Sequence, residues 1–90
     1  MIVRLVLWNL VDSKTTVAEL RHHLNGTTEH VPGLRFRAWI SDETTERFGA
    51  VELWELAEAA EEEVSRLVHE LIGKEPEVGE IFDVEATAGR

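Results

Sequence analysis

Cysteine is absent from this sequence of 90 residues, and basic residues are scarce. Without cysteine, the chain has no disulfides, no thiolate metal ligands and no cysteine nucleophile. Nine Lys and Arg residues stand against eighteen Asp and Glu residues, which gives a net charge of −9. The resulting field repels nucleic acid and anionic membrane surfaces, so we expect neither as a partner. The expected partners are a small molecule or another protein.

Long apolar runs and targeting signals are also missing. The first segment, MIVRLVLWNLV, carries Arg4 within its apolar run and lacks a small-residue cleavage site. It is too short to span a bilayer, and no later segment is long or apolar enough to do so. These absences predict a cytoplasmic protein without a membrane segment.

Motifs of common enzyme and metal sites are absent as well. The chain contains no P-loop, no glycine-rich dinucleotide-binding signature and no Ser-His-Asp arrangement. His22 and His23 are neighbours about 100° apart on a helix and cannot readily share one metal ion. The glutamates at 58 and 61–63 are interpreted as a solvated helix face. We therefore predict no metal site.

The length fits one domain, residues 1–90, with a single modest core. Hydrophobic residues make up 43% and charged residues 30% of the chain, which is ordinary for a folded protein. Domains of this size often gain stability by oligomerising, because a lone chain buries too little apolar surface.

Apolar periodicity predicts six elements. The strands are predicted at residues 2–10, 47–55 and 77–86, and in VPGLRFRAWISD after its Pro-Gly turn. The first helix begins near Lys14, where Thr16 and Glu19 have capping-box spacing. It either ends at Asn25 or continues to about His30, and the apolar Val31 favours continuation. The second helix is predicted over 56–72, followed by the stop signals Gly73 and Pro76.

The element order, β-α-β-β-α-β, predicts the fold. It is typical of an α+β, ferredoxin-like sandwich with a four-stranded antiparallel sheet. Right-handed crossovers place both helices on one face of that sheet. The other face is then open, and is either solvated or covered by a second copy of the chain.

Alternation along the strands assigns side chains to the two faces of the sheet. In the second strand, Leu34, Phe36, Ala38 and Ile40 are predicted to face the helices. The same interpretation places three residues of the first strand on the helix side: Val3, Leu5, Leu7. From the third strand it places there Gly49, Val51, Leu53. The open face then receives aromatic and charged residues: Trp8, Trp39, Trp54, Arg4, Arg37, Glu52, Phe48. A bulge in any strand would reverse the faces of its later residues.

Three tryptophans and several charged groups on one face indicate a ligand cavity or an interface. The predicted ligand-binding residues are Trp8, Trp39, Trp54, Arg4 and Arg37. Arg37 and Trp39 either bind an aromatic acid or stabilise an oxyanion, or else Arg37 stacks at a dimer interface with Trp39 as its anchor.

Catalytic residues cannot be assigned from the sequence, and only weak candidates stand out. They are Arg37, Asn9 and Glu52. Glu52 and Arg4 are equally well explained as a pair across neighbouring strands. Asn9 at a strand end suits either a substrate carbonyl or local turn chemistry. Any histidine could act as a base near neutral pH, but none lies in a recognisable motif.

Two segments resemble a known family. VPGLRFRAWISDETTERFGAVELWELAEAA and the ending IFDVEA resemble the YdhR-like mono-oxygenases of the dimeric α+β barrel superfamily, which includes the antibiotic-biosynthesis mono-oxygenases. The resemblance runs from the first strand to near Ala86. Pro32, Gly33, Trp39 and Gly49 match the family pattern, and Arg37 falls where the family can place a basic residue. Glu52 departs from an aromatic residue that the pattern often has there.

The resemblance implies a homodimer whose two open sheet faces meet as a dimeric α+β barrel. It also implies a cavity in each subunit and oxygen chemistry without flavin, metal, haem or another cofactor. An electron-rich phenolic substrate would be deprotonated and would react with dioxygen itself, while the protein orients it and stabilises the anion. The leading hypothesis is therefore a cofactor-independent mono-oxygenase acting on a small aromatic or phenolic molecule. The alternative is a non-catalytic dimeric module that binds a small molecule or a partner.

Overall fold

The structure, a computed structural model, describes residues 1–24, 31–62 and 66–89. Its elements follow in order: β1 (Ile2–Asn9), α1 (Val17–Leu24), β2 (Leu34–Asp42), β3 (Arg47–Trp54), α2 (Ala57–Glu62), α3 (Arg66–Ile72), β4 (Val78–Asp83). The four strands form one antiparallel sheet in the order β2-β3-β1-β4. The predicted α+β class and four-stranded sheet are confirmed, and the strand order is consistent with a ferredoxin-like fold.

Helix α1 begins three residues later than the sequence predicts. Thr16 caps it, since the Glu19 amide donates to Thr16 Oγ1 at 3.2 Å. Upstream, the Ser13 hydroxyl accepts from the Thr15 amide at 3.3 Å. This local hydrogen bond holds the chain outside the helix until Val17. The predicted continuation from Asn25 to His30 lies outside the described residues.

The second predicted helix, 56–72, is described as α2 and α3, and residues 63–65 between them lie outside the described part. Helix α3 ends where Gly73 was predicted to stop it. Gly73 has a φ of 79°, a left-handed conformation that glycine adopts without steric cost. Its amide donates to the His69 carbonyl at 2.8 Å and so satisfies an end carbonyl of the helix.

The Pro32-Gly33 turn is present and sets the start of β2. The Leu34 amide donates to the Val31 carbonyl at 3.0 Å, and Gly33 has a φ of 85°. Proline followed by a glycine with positive φ is the arrangement of a type II turn.

The predicted assignment of faces is wrong, because the helices cover the tryptophan face. Trp8 and Phe48 pack in one buried cluster with apolar residues of both α1 and α3. Trp54 packs in a second cluster with Ala60 of α2. The three tryptophans do share a face, as predicted, but it is the inner face and not the open one. The same correction applies to Arg4, Arg37, Glu52 and Phe48.

A β-bulge explains part of the error. Leu34 pairs with Trp54, and the next paired residue, Phe36, lies opposite Leu53. Arg35 is therefore an extra residue, and it reverses the facing of the rest of β2. Leu34 lies on the inner side as predicted, whereas Phe36 and the later alternate residues lie on the open side. In β1 and β3 there is no such shift, and each strand has apolar residues on both faces, so alternation alone did not distinguish them.

Apart from a polar row at one end, Asp42-Arg47-Asn9, the open face consists of three cross-strand rows of side chains. They are Phe36-Leu53-Val3-Phe82, Ala38-Val51-Leu5-Glu80, and Ile40-Gly49-Leu7-Val78. Only Glu80, on the edge strand β4, is charged among these residues. Phe36 and Phe82 are 57% and 52% exposed, so large apolar side chains of this face meet solvent in the isolated chain.

Gly49 lies where the two central strands approach closely. A Cβ atom at this position would lie 1.8 Å from the carbonyl oxygen of Val6, which belongs to the backbone of β1. No side-chain rotation relieves such a contact, so the pairing of β1 with β3 requires glycine here.

We expect Gly49→Ala to lower the free energy of unfolding by about 3 kcal/mol or more, because the backbone of β1 must shift. The measurement is urea denaturation followed by circular dichroism. Gly79→Ala is the matched control on the same sheet, since a Cβ there meets no atom within 4 Å. We expect the control to change stability by less than about 0.5 kcal/mol. Equal losses in the two variants would contradict the close approach at Gly49.

Candidate functional site

A pocket of about 190 Å³ lies on the inner face of the sheet. Its floor follows one cross-strand row, in which Trp39, Ala50, Val6 and Gly79 lie side by side. Ala50 has only a methyl group and Gly79 has no side chain, so both positions leave space that a larger residue would fill. We call this the sheet–helix pocket, and its described lining is Arg4, Val6, Trp8, Trp39, Ala50, Glu52, Glu75, Pro76, Gly79, Ile81.

The next row along the sheet forms a polar end to the pocket. Arg37, Glu52 and Arg4 lie directly opposite one another on three adjacent strands. Arg4 Nε donates to Glu52 Oε1 at 2.6 Å, and Arg37 Nε donates to Glu52 Oε2 at 2.6 Å. Trp54 Nε1 also donates to Glu52 Oε1, at 3.1 Å. We call these three charged residues the Arg-Glu-Arg triad.

The triad is buried, so its carboxylate depends on these partners. Glu52 is only 2% exposed. Burial is the largest influence on its pKa and raises it, but the hydrogen bond from Arg4 and the charge of Arg37 oppose burial. Together with the Trp54 hydrogen bond, they bring the pKa of Glu52 below its ordinary value. Glu52 is therefore an ionised, fixed acceptor at neutral pH.

Aromatic rings hold the two arginines in place. The guanidinium carbon of Arg4 lies 5.5 Å from the ring centroid of Trp54, and that of Arg37 lies 5.3 Å from that of Trp39. These distances are within the range of cation–π attraction. Arg4 also donates through a terminal nitrogen to the carbonyl of Ala60 in α2. The polar end of the pocket is thus rigidly attached to both the sheet and a helix.

Trp8 attaches the segment between α3 and β4 to the opposite end of the pocket. Its Nε1 donates to the carbonyl of Lys74 at 2.9 Å. The side chain of Glu77 accepts from Lys74 Nζ and from the Asn9 amide, each at 2.6 Å. These bonds position the neighbouring Glu75 and Pro76 at the pocket.

A histidine and a carboxylate meet near the pocket. His69 Nε2 lies 3.5 Å from Glu75 Oε1. The Glu75 side chain is 84% exposed and the His69 side chain 32% exposed. Glu75 lines the pocket, and His69 lies beside it.

The structure brings together some of the predicted site residues and separates others. Trp8, Trp39, Arg4 and Glu52 all line the sheet–helix pocket. Two other predicted ligand residues, Arg37 and Trp54, are absent from that lining. Glu52 lies between Arg37 and Arg4, with Arg37 on its β2 side, and Trp54 is fully buried.

Asn9 makes a local turn contact, since its Oδ1 accepts from the Val11 amide at 2.9 Å. This is the turn chemistry that the sequence left open as an alternative. The pairing of Arg4 with Glu52, also left open, is present.

Several lining residues were missed by sequence reasoning. Glu75 and Pro76 come from a connection that was interpreted only as a stop signal for the helix. Gly79 was the one available signal, because a glycine inside a strand often marks open space or a close approach. It was not used.

Within the described residues, no group of three or more His, Asp or Glu side chains is placed to hold a metal ion. None of the helices described is both long and apolar enough to cross a membrane. A scan of the chain against the models of known protein families finds no match, and a search of curated proteins finds none either.

We expect Glu52→Gln to lower the free energy of unfolding by about 3 kcal/mol at pH 7, because two buried guanidinium groups lose the carboxylate that both contact. Chemical denaturation measures the change. Glu55→Gln is the matched control: Glu55 pairs with Arg35 at 3.0 Å, but both side chains are more than half exposed. We expect that change to cost less than about 1 kcal/mol.

The pH dependence gives a second measurement on the same variants. The pKa of Glu52 is lowered in the folded protein from about 4.5, so its ionised form contributes stability that is fully present above that pH. This contribution is lost as the pH falls through the folded pKa. The stability difference between wild type and Glu52→Gln should therefore narrow below pH 4.5, and a constant difference would contradict the triad's role.

Proposed function

We propose that the protein binds a small, uncharged aromatic molecule of about the size of a substituted phenol in the sheet–helix pocket. The observation that carries this proposal is a preformed pocket of about 190 Å³ with tryptophans in its wall and a fixed polar end. An apolar cavity of about 150 Å³ is large enough for benzene. A single ring with one or two small substituents therefore fits the available space.

The charges around the pocket favour a neutral ligand over an aromatic acid. The charged lining residues described are one arginine and two glutamates, Arg4, Glu52 and Glu75. Arg4 directs one nitrogen to Glu52 and another to the Ala60 carbonyl. The whole chain carries a net charge of −9, which further disfavours an anion. A phenolic hydroxyl that donates to a carboxylate suits this set of groups.

For activity, we propose cofactor-independent mono-oxygenation of a phenolic substrate, as the family resemblance suggests. A phenol and one dioxygen molecule yield a quinone and one water, so the substrate supplies all the electrons. The step requires a group that accepts the phenolic proton. Glu75, with His69 beside it at 3.5 Å, is our candidate for that acceptor. The pocket walls would orient the ring towards it.

Non-catalytic binding is the second candidate function. It is favoured by the way in which the polar end is bonded internally, since Glu52 accepts from Arg4, Arg37 and Trp54 at once. A purely structural role, in which the triad holds the strands and helix α2 together, is sufficient to explain these bonds. In that case the pocket recognises a ligand without transforming it.

We further propose that two copies of the chain associate through their open faces. Strands of six to nine residues spaced about 4.8 Å apart give this four-stranded face a flat footprint of roughly 500 Å². A standard interface buries roughly 800 Å² per partner, so the flat footprint covers more than half of that area. A second copy suits the face because three of its rows carry only one charged residue, Glu80, on a strongly acidic chain. Two such faces meet without bringing many carboxylates together.

Isothermal titration calorimetry with phenol and para-cresol tests the binding proposal. We expect binding to the wild type, and a loss of roughly tenfold or more in affinity in Gly79→Val, because the new side chain projects into the pocket. Gly79→Ala is the graded control and should lose less. Unfolding measurements on the same samples verify that the fold is retained. Equal affinity in wild type and Gly79→Val would place the ligand elsewhere.

Oxygen uptake distinguishes the two functions. In metal-free buffer, a mono-oxygenase should consume dioxygen with a panel of phenols and quinols, and Glu75→Gln should reduce the rate by about tenfold or more. Binding by calorimetry without oxygen uptake across the panel would favour the non-catalytic module.

Multi-angle light scattering tests the association. We expect about twice the 10.2 kDa chain mass at micromolar concentration. Leu5→Asp should give monomers, because it buries a carboxylate at the centre of the open face. The control is Leu56→Asp, an identical change at a position that is 64% exposed and outside that face, and it should remain dimeric. A monomeric wild type would overturn the proposal.

A further inference from the structure

A second pocket lies beside the sheet–helix pocket, and Trp39 lines both. The second pocket has a volume of about 230 Å³ and lies between α1 and the edge strand β2. We call it the β2-edge pocket. Its described lining is Val17, Arg21, Leu24, Trp39, Ile40, Ser41, Phe48.

Neighbours on two sides hold the indole of Trp39 in place. Its ring stacks on that of Phe48, with 5.7 Å between centroids and 17° between planes. The guanidinium carbon of Arg37 lies 5.3 Å from the Trp39 ring centroid. Arg37 lies two residues before Trp39 on β2. Ser41 lies two residues after Trp39, and Phe48 of β3 is the residue opposite Ser41. The indole is therefore contacted from both directions along the strand.

The anchoring of Arg37 makes this arrangement rigid. Arg37 is fixed by its bond to Glu52 at 2.6 Å, and its side chain is only 6% exposed. Phe48 is 3% exposed and belongs to the main buried cluster with Trp8. A rotation of the indole would have to break the stack on Phe48 and the contact with Arg37 together.

We propose that Trp39 sets the maximum length of the ligand, because its indole separates the sheet–helix pocket from the β2-edge pocket. This inference rests on the proposed binding of a small aromatic molecule. With Trp39 in place, the longest ligand that the sheet–helix pocket accepts is one aromatic ring with short substituents. Replacing Trp39 by a small residue joins the two pockets into one elongated site that accepts an aromatic head with an apolar tail.

The chemistry of the β2-edge pocket suits such a tail. Most of its lining side chains are apolar or aromatic, and its one charged residue, Arg21, is paired with Glu43. Each methylene buried there strengthens binding about fourfold by the usual transfer free energy. An alkyl chain attached to the ring opposite its hydroxyl would therefore gain affinity only where Trp39 does not block it.

The experiment compares para-cresol with para-octylphenol by isothermal titration calorimetry, in the wild type and in Trp39→Ala. In the wild type we expect para-octylphenol to bind more weakly than para-cresol. In Trp39→Ala we expect the affinity ratio of the long to the short phenol to rise by about tenfold or more. The ratio compares two ligands on one protein, so a general weakening of the pocket does not change it.

Two further variants complete the test. Trp39→Leu replaces the indole by a smaller branched side chain and should give a smaller rise in the ratio, and it replaces Trp39→Ala if that variant does not fold. Phe36→Ala is the control, because Phe36 lies on the same strand but on the open face and is 57% exposed. It should leave the ratio unchanged.

The outcomes separate this inference from the function on which it rests. If wild type binds para-cresol and the ratio is the same in the folded Trp39 variants, the role of Trp39 is wrong while the binding function stands. If the wild type already prefers para-octylphenol to the extent expected of the variant, Trp39 is not a barrier. If the wild type binds neither phenol, both the function and the inference are overturned.

Discussion

The contact of Glu52 with two arginines is the interaction on which the inner face of this protein depends. A carboxylate that is 2% exposed remains ionised only because Arg4, Arg37 and Trp54 all donate to it. The three charged residues come from three adjacent strands. The triad therefore fixes the register of β2, β3 and β1 and also keeps Glu52 ionised. Replacing a whole buried triad by apolar residues is often neutral for stability, whereas removing one partner leaves a buried charge uncompensated.

The pocket follows from the row beside the triad. The charged side chains of the triad occupy one row. On the next row, Ala50, Val6 and Gly79 are too small to fill the space above the sheet, and the sheet–helix pocket is that space. The result is an apolar space with one polar end, which is the usual composition of a small-molecule site. Glu52 and Arg4 thus belong both to the triad and to the pocket lining, while Trp39 and Gly79 lie on the row that forms the pocket floor.

Sequence reasoning recovered the elements better than the site. The element order, the cap at Thr16, the stop at Gly73 and the turn at Gly33 were all predictable, because each depends on neighbours in the chain. The grouping of the three tryptophans on one face also held. Which face that was did not follow, since β1 has apolar residues on both sides and Arg35 forms a bulge in β2. Glu75 and Gly79 were missed because they reach the pocket from the far end of the chain.

The sequence by itself determined the local structure, the absence of thiol chemistry, the acidic charge and the set of residues available for a site. Only the tertiary structure decided that the tryptophans and the triad lie under the helices while Val3, Leu5 and Phe36 lie on the open face. The physical reason is volume and hydrogen bonding. Large rings and paired charges fill the space between sheet and helix and find partners there, such as the Lys74 and Ala60 carbonyls, which alternation along one strand cannot reveal.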